Sequence, residues 1–242
     1  MSGRAYGPGQ AGGPGGTDGT DGADGPLPLL LTVLAFTTGM IDATSFLDLG
    51  HVFVAAMTGN TIIFGLGLAG YGTALSSLLS ITSFAVGAGC GGQIVLPRGV
   101  HRHRGLLLAA GIATQALLVC GGALLAARYG FAEPRTRRTV IVLLAFSMGW
   151  GYAVVRRVKV ADLNTTVVTT TLTTLFAESV APYRQKRRLV SICALLTGAF
   201  VSGLLRRALF PVAPLWAAVL LLAGCAVVSY AAARRPGAER WR

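Results

Sequence analysis

Three groups of residues in this chain carry polar chemistry inside apolar surroundings. Asp42 lies deep in the first apolar run, three residues after Gly39. A carboxylate at membrane depth costs about 2.5–3.5 kcal/mol on insertion scales, so it usually faces a cavity or a partner. A proton or cation site is one use for it. A structural acid, bonded to backbone groups of a neighbouring helix, is the other. Thr58-Gly59-Asn60 interrupts the next apolar run. Gly and Asn tolerate left-handed backbone, and Thr and Asn can re-satisfy groups freed by a helix break. Such a break can aim helix ends at a midplane ligand. The alternative is a tight helix crossing through Gly59. Finally, Thr166, Thr169, Thr170 and Thr173 fall at i, i+3, i+4 and i+7, one helix face. Threonine hydroxyls can bond the i−4 carbonyl, so they can line a polar pathway or pack as small residues. Gly39, Asp42, Thr58, Gly59, Asn60 and these four threonines form the expected substrate or ion pathway.

Other chemistries find less support. The expectation is a non-enzyme with no catalytic residues, no metal site and no cofactor. No nucleophile stands beside a base, as covalent catalysis would need. His101 and His103 flank Arg102 without a third ligand. Gly65 to Gly70 matches G-x-G-x-x-G, but it ends an apolar run and lacks the strand–turn–helix context of a nucleotide loop. Close packing and then a turn is the expected use of those glycines. Cys90, Cys120, Cys193 and Cys225 all sit in apolar runs and form no Cys-x-x-Cys pair. They read as small buried hydrophobes.

The elements that must position these residues are membrane helices. Of the 242 residues 53% are hydrophobic and only 12% charged, about half the usual charged share of a soluble protein. The mean hydropathy is +0.63. The net charge of +12 is carried by short clusters such as Arg135-Thr136-Arg137-Arg138 and Lys186-Arg187-Arg188. These suit juxtamembrane loops that meet anionic lipid headgroups, and they do not build the aromatic-lined groove of a nucleic-acid binder. The lipid bilayer is therefore the expected partner, nucleic acid is not, and a homo-oligomer stays open. Residues 1–26 are rich in Gly, Asp and Pro and read as a disordered tail. Without a basic n-region before it, the first apolar run reads as a retained helix rather than a signal peptide.

Eight helical segments are expected at 27–47, 52–69, 74–96, 105–127, 139–155, 163–180, 189–205 and 209–233. Leu34-Ala35-Phe36-Thr37-Thr38-Gly39 recurs as Leu144-Ala145-Phe146-Ser147-Met148-Gly149, and Gly87-Ala88 recurs as Gly198-Ala199. The chain thus reads as an all-α polytopic membrane bundle of two repeated halves, at 27–127 and 139–233, closed by a basic cytoplasmic tail at 234–242. Segments 52–69 and 163–180 are short or interrupted and occupy matching places, which is a pointer to a binding site. If both span, each half has four spans and the repeats are parallel. If both re-enter, each half has three and the repeats are inverted. Counted from a cytoplasmic N-terminus, Lys and Arg fall 13 inside and 8 outside with eight spans, and 15 inside and 6 outside with six. Both patterns put the two termini in the cytoplasm, and the margin between them is too small to choose.

The block Gly39-Met40-Ile41-Asp42-Ala43, then Leu49-Gly50-His51-Val52-Phe53-Val54-Ala55-Ala56-Met57-Thr58-Gly59-Asn60, resembles the YoaK family, a bacterial group of multi-pass membrane proteins defined by a domain of unknown function. Ala145-Phe146-Ser147-Met148-Gly149 and Arg156-Arg157 extend the resemblance, which covers about residues 28–232. It implies a helical fold in the bacterial cell (inner) membrane and brings no substrate. The second half departs from the family pattern, with Gly151-Tyr152 where relatives tend to carry Gln-Asn, and Thr169-Thr170 where they tend to repeat Thr-Gly. The expected function is a secondary transporter or permease for a small molecule or ion. A non-transporting scaffold, partner subunit or lipid-binding protein is the alternative.

Overall fold

The computed structural model describes residues 27–72, 74–93, 104–158 and 182–234. Among them are seven helices and no strand: α1 (Leu27–Asp48), α2 (Met57–Leu68), α3 (Ala74–Gln93), α4 (Arg104–Tyr129), α5 (Pro134–Val158), α6 (Pro182–Ala208) and α7 (Ala213–Ala233). Six are long and apolar enough to cross a membrane; α2 is not. The expected all-α polytopic bundle is therefore present. The segment at 163–180, with Thr166, Thr169, Thr170 and Thr173, lies outside the described residues, as do the tail at 1–26 and residues 235–242.

Several helices run beyond their apolar stretches. The segment expected at 139–155 begins at Pro134, and the one expected at 189–205 begins at Pro182. Proline suits a first helical position, where its missing N–H costs nothing. The arginine-rich turns that follow are helical but polar, so hydropathy alone misses them. The larger correction concerns the segment expected at 52–69. Only Met57–Leu68 is helical, and residues 49–56 are irregular. Twelve residues rise about 18 Å. A hydrocarbon core is about 30 Å thick, so α2 cannot cross it.

Most of the large buried side chains come from four helices, with Leu49 and Val52 added by the irregular segment after α1. Leu31 and Ile41 of α1, Leu108 and Ile112 of α4, Ile141 and Met148 of α5, and Leu215 and Leu222 of α7 fill one core. Against this core lie α3, packed on α5, and α6, packed on α1. The buried positions of α3 are Ser76, Ser77, Ser80, Gly87 and Gly91, while Leu75, Leu78 and Val86 point outward. Small and polar inside, large and apolar outside is the pattern of a helix whose outer face meets lipid. Cys225 is buried, but Cys193 is exposed on α6, so that cysteine is part of an outer face rather than a buried filler.

Side-chain contacts give the helix directions. On α1 and α6, Phe36 meets Gly198, Thr44 meets Ser202 and Asp48 meets Arg206, so both chain numbers rise together and the helices are parallel. On α3 and α5, Phe84 meets Gly149 and Gly91 meets Trp150 and Ala153, again parallel. The Arg137 guanidinium, in the first turn of α5, packs 3.9 Å from where a Cβ on Gly50 would stand, just past the end of α1. The end of α1 therefore meets the start of α5, and these two are antiparallel. α4 returns antiparallel into α5, with Gly122 against Leu144 and Gly111 against Val154. α7 returns from α6 through the short connection at 209–212. Hence α1, α4 and α6 point one way, and α3, α5 and α7 the other.

Both parallel crossings are built alike. A Cβ on Gly39 would collide with the Leu195 carbonyl oxygen, and one on Gly198 with the Phe36 carbonyl oxygen. On the other pair, Gly149 faces the Phe84 carbonyl and Gly87 the Phe146 carbonyl in the same manner. Each glycine lies three residues after the carbonyl its partner contacts. Four helices thus share Phe-x-x-Gly or Leu-x-x-Gly, and only a residue without a side chain lets the backbones approach this closely.

Candidate functional site

After α1 ends at Asp48, the chain turns back into the bundle. Leu49 N–H closes on Ser45 O at 2.9 Å and His51 N–H on Phe46 O at 3.1 Å. Gly50 takes φ +91° and His51 φ +60°, both left-handed, which ends the helix sharply. The His51 ring meets Phe46 edge-on, and Phe46 stacks on Phe53 at 5.1 Å. By Val54 the chain has come level with Asp42, six residues or about 9 Å back along α1. Irregular backbone at this depth must find partners inside the protein, because lipid offers none.

Three side chains supply those partners. Asp42 Oδ1 accepts the backbone N–H groups of Val54 and Ala55, both at 2.8 Å, and the Ala56 amide also faces the carboxyl. Asn60, fully buried, accepts Phe53 N–H at 2.9 Å and donates to Phe53 O at 2.5 Å and to Ser80 Oγ at 3.0 Å. Ser80 Oγ donates to the same Phe53 carbonyl at 2.6 Å. Ala56, the N-cap of α2, has no side-chain cap of its own. Asp42 holds the amides just upstream and places a negative charge near the positive end of the α2 dipole.

The helix break therefore precedes Thr58-Gly59-Asn60 instead of falling on it. These three residues form the first turn of α2. Thr58 is exposed, and a Cβ on Gly59 would lie 3.0 Å from the Phe53 ring. Hydropathy cannot locate the break, since Val52-Phe53-Val54-Ala55-Ala56 is as apolar as a helix would be. Gly39 lies at the α1–α6 crossing, with its face filled by Leu195 and Ala199. Of the glycines at 65–70, Gly67 packs closely against Ala74 and Gly70 turns the chain at φ +92°, while Gly65 faces open space.

The structure adds two residues at the same place. Tyr152 of α5 is partly buried, its phenol hydrogen-bonds with Thr38 of α1, and it lies in the field of Asp42. Thr38 Oγ1 also donates to Leu34 O at 2.9 Å. The Tyr152 ring also packs on Phe84 of α3, with centroids 5.6 Å apart. Tyr152 stands 110 positions after Asp42, the offset of the repeated motif. That offset was the available signal, although it predicts no contact between the two. Farther along, Thr44 and Ser202 share a hydrogen bond at 3.0 Å, and Arg206 grips Asp48 with nitrogen–oxygen distances of 2.8–3.0 Å. Among the described residues no group of three or more His, Cys, Asp or Glu side chains converges as metal ligands would.

The arrangement can hold a charge inside the bundle, present backbone amide donors to it, and anchor a re-entrant segment. No solved structure significantly matches the chain. A curated relative, the UPF0700 transmembrane protein YoaK of Bacillus subtilis (strain 168), is 29% identical over 155 residues, covering 62% of this chain and 65% of that protein. The family model described as protein of unknown function (DUF1275) matches residues 30–228, from the first turn of α1 into the last turns of α7. With six apolar helices and that match along most of its length, the chain is a multi-pass integral membrane protein belonging to the DUF1275 family.

Proposed function

We propose that this protein is a secondary transporter or permease for a small molecule or ion, built from two inverted halves. The observation that carries the reading is a carboxylate and an irregular backbone segment meeting at membrane depth, beside the counterpart residue of the other half. Inverted repeats, interrupted helices and intramembrane acids recur together in transporters. The directions of the helices support this. α1 opposes α5, α3 opposes α6 and α4 opposes α7, which is what a two-fold axis in the membrane plane would produce. The matched crossings at Gly39 with Gly198 and Gly149 with Gly87 support a duplicated plan. The reading assigns the protein no catalytic step.

With α2 re-entrant, and its counterpart at 163–180 taken likewise, 15 of the Lys and Arg residues fall on the face holding both termini and 6 on the other. That bias favours cytoplasmic termini in a bacterial inner membrane, with α2 entering from outside. The test is flux in proteoliposomes across a broad panel of solutes and ions. Wild-type flux that is pH- or ion-linked, and lost in Asp42→Asn, is the expected result. Absence of flux across the panel would remove the reading.

One observation favours a non-transporting scaffold or lipid-binding protein instead. The described bonds of Asp42, Asn60 and Ser80 run mainly to the backbone of residues 53–55. Under that reading, Asp42→Asn would alter stability, and a stable complex with another membrane protein would co-purify.

A further inference from the structure

We propose that Asp42 is a proton-operated latch: its charged carboxylate pins the re-entrant segment 49–56 to α1, and protonation loosens it. This deepens the transport reading and rests on it for one consequence, that the ion coupled at this site is a proton rather than a metal cation.

The groups around Asp42 are donors. Val54 and Ala55 each donate an N–H to Oδ1 at 2.8 Å and the Ala56 amide faces the carboxyl, while the Tyr152 phenol nearby is engaged with Thr38 instead. A hard cation needs several oxygen lone pairs converging on one point. Donors converging on a carboxylate are the opposite arrangement, and they offset only part of the cost of holding its charge at membrane depth, so a proton can compete with them. Charge on Asp42 is balanced by amides and the α2 dipole, with no Lys, Arg or His bridged to it among the described residues. A proton is the cation that this carboxylate can take up without further ligands. Uptake turns two charge-assisted bonds into neutral ones, which are weaker by about half.

Few other groups could produce a titration here. α2 carries no ionisable side chain and α3 only Cys90. α5 contributes Tyr152 and, beside Gly50, the Arg137 guanidinium, and the segment itself contributes the exposed His51 near its start. Asp48 sits about 9 Å along α1, already paired with Arg206 of α6. Asp42 is the carboxylate in contact with the segment, and what it holds is the start of α2. Loosening it frees a 12-residue helix packed mainly on α3.

Hydrogen exchange of the full-length protein in lipid vesicles, read on peptides covering 52–57 and corrected for intrinsic rates, tests this. From mildly alkaline to mildly acidic buffer, protection of the Val54 and Ala55 amides should fall by roughly tenfold, the factor set by about 1.4 kcal/mol across weakened bonds. Protection in the middle of α1 should stay constant. Asp42→Asn should hold the low-pH value at every pH, and His51→Gln should titrate like wild type. Protection that does not change with pH in wild type, or that titrates equally in Asp42→Asn, overturns the latch. Flux through the same vesicles is a separate readout. A titrating latch without flux removes the transport reading alone, and flux with pH-independent exchange removes the latch alone.

Discussion

Replacing Asp42 by alanine and by asparagine separates its backbone-holding role from its charge. Asp42 Oδ1 accepts two backbone N–H groups at 2.8 Å, and the residues that donate them, Val54 and Ala55, are buried. Bonds to a charged acceptor contribute about 1.5–3 kcal/mol each, so alanine removes about 3–6 kcal/mol. Deleting a carboxylate from membrane depth returns about 2.5–3.5 kcal/mol. The net cost of Asp42→Ala is then modest, at most about 3.5 kcal/mol. Asparagine also removes the charge but keeps a carbonyl acceptor, and neutral bonds contribute about 0.5–1.5 kcal/mol each. Asp42→Ala should therefore be less stable than Asp42→Asn by about 1–3 kcal/mol. Reversible unfolding in mixed micelles, with both variants in one detergent ratio, measures that difference. If alanine equals or exceeds asparagine in stability, Asp42 is not holding the segment, and the account of the re-entrant chain is wrong.

The glycine crossings and the ion pair make separate predictions. Gly87→Ala and Gly198→Ala each drive a Cβ into a facing carbonyl and should cost at least about 1–3 kcal/mol. Gly89→Ala meets nothing within 4 Å and should be neutral or stabilising by up to about 1 kcal/mol, as thermal unfolding of the three variants would show. Arg206→Ala leaves the Asp48 carboxylate, 6% exposed, without its partner, so the single variant should be less stable than the double variant Asp48→Ala/Arg206→Ala. A double-mutant cycle giving no coupling between the two positions would contradict that.

Much of the membrane architecture was legible in the residues. Hydropathy located six helices because lipid-facing spans must be apolar over about 20 residues. The polar rarities were legible as well, since Asp42 and Asn60 have to find partners inside an apolar run. What each one binds was not. Phe53, Val54 and Ala55 look like ordinary helix interior, and their unpaired amides follow from a turn that leaves no compositional trace. The Phe-x-x-Gly spacing at 36–39, 84–87 and 146–149 was present in the residues too, but without the fold it cannot say which helices cross.

Sequence by itself determined that this is a polytopic helical membrane protein with a repeated motif, because burial in lipid acts on composition residue by residue. Only the tertiary structure decided that the second apolar segment does not cross. A 12-residue helix and eight irregular residues carry the same hydropathy as one bent span, yet differ in every backbone partner. It also brought Tyr152 to Asp42 and set α1 against α5, since which groups meet depends on helix direction, and direction is a property of the assembled bundle.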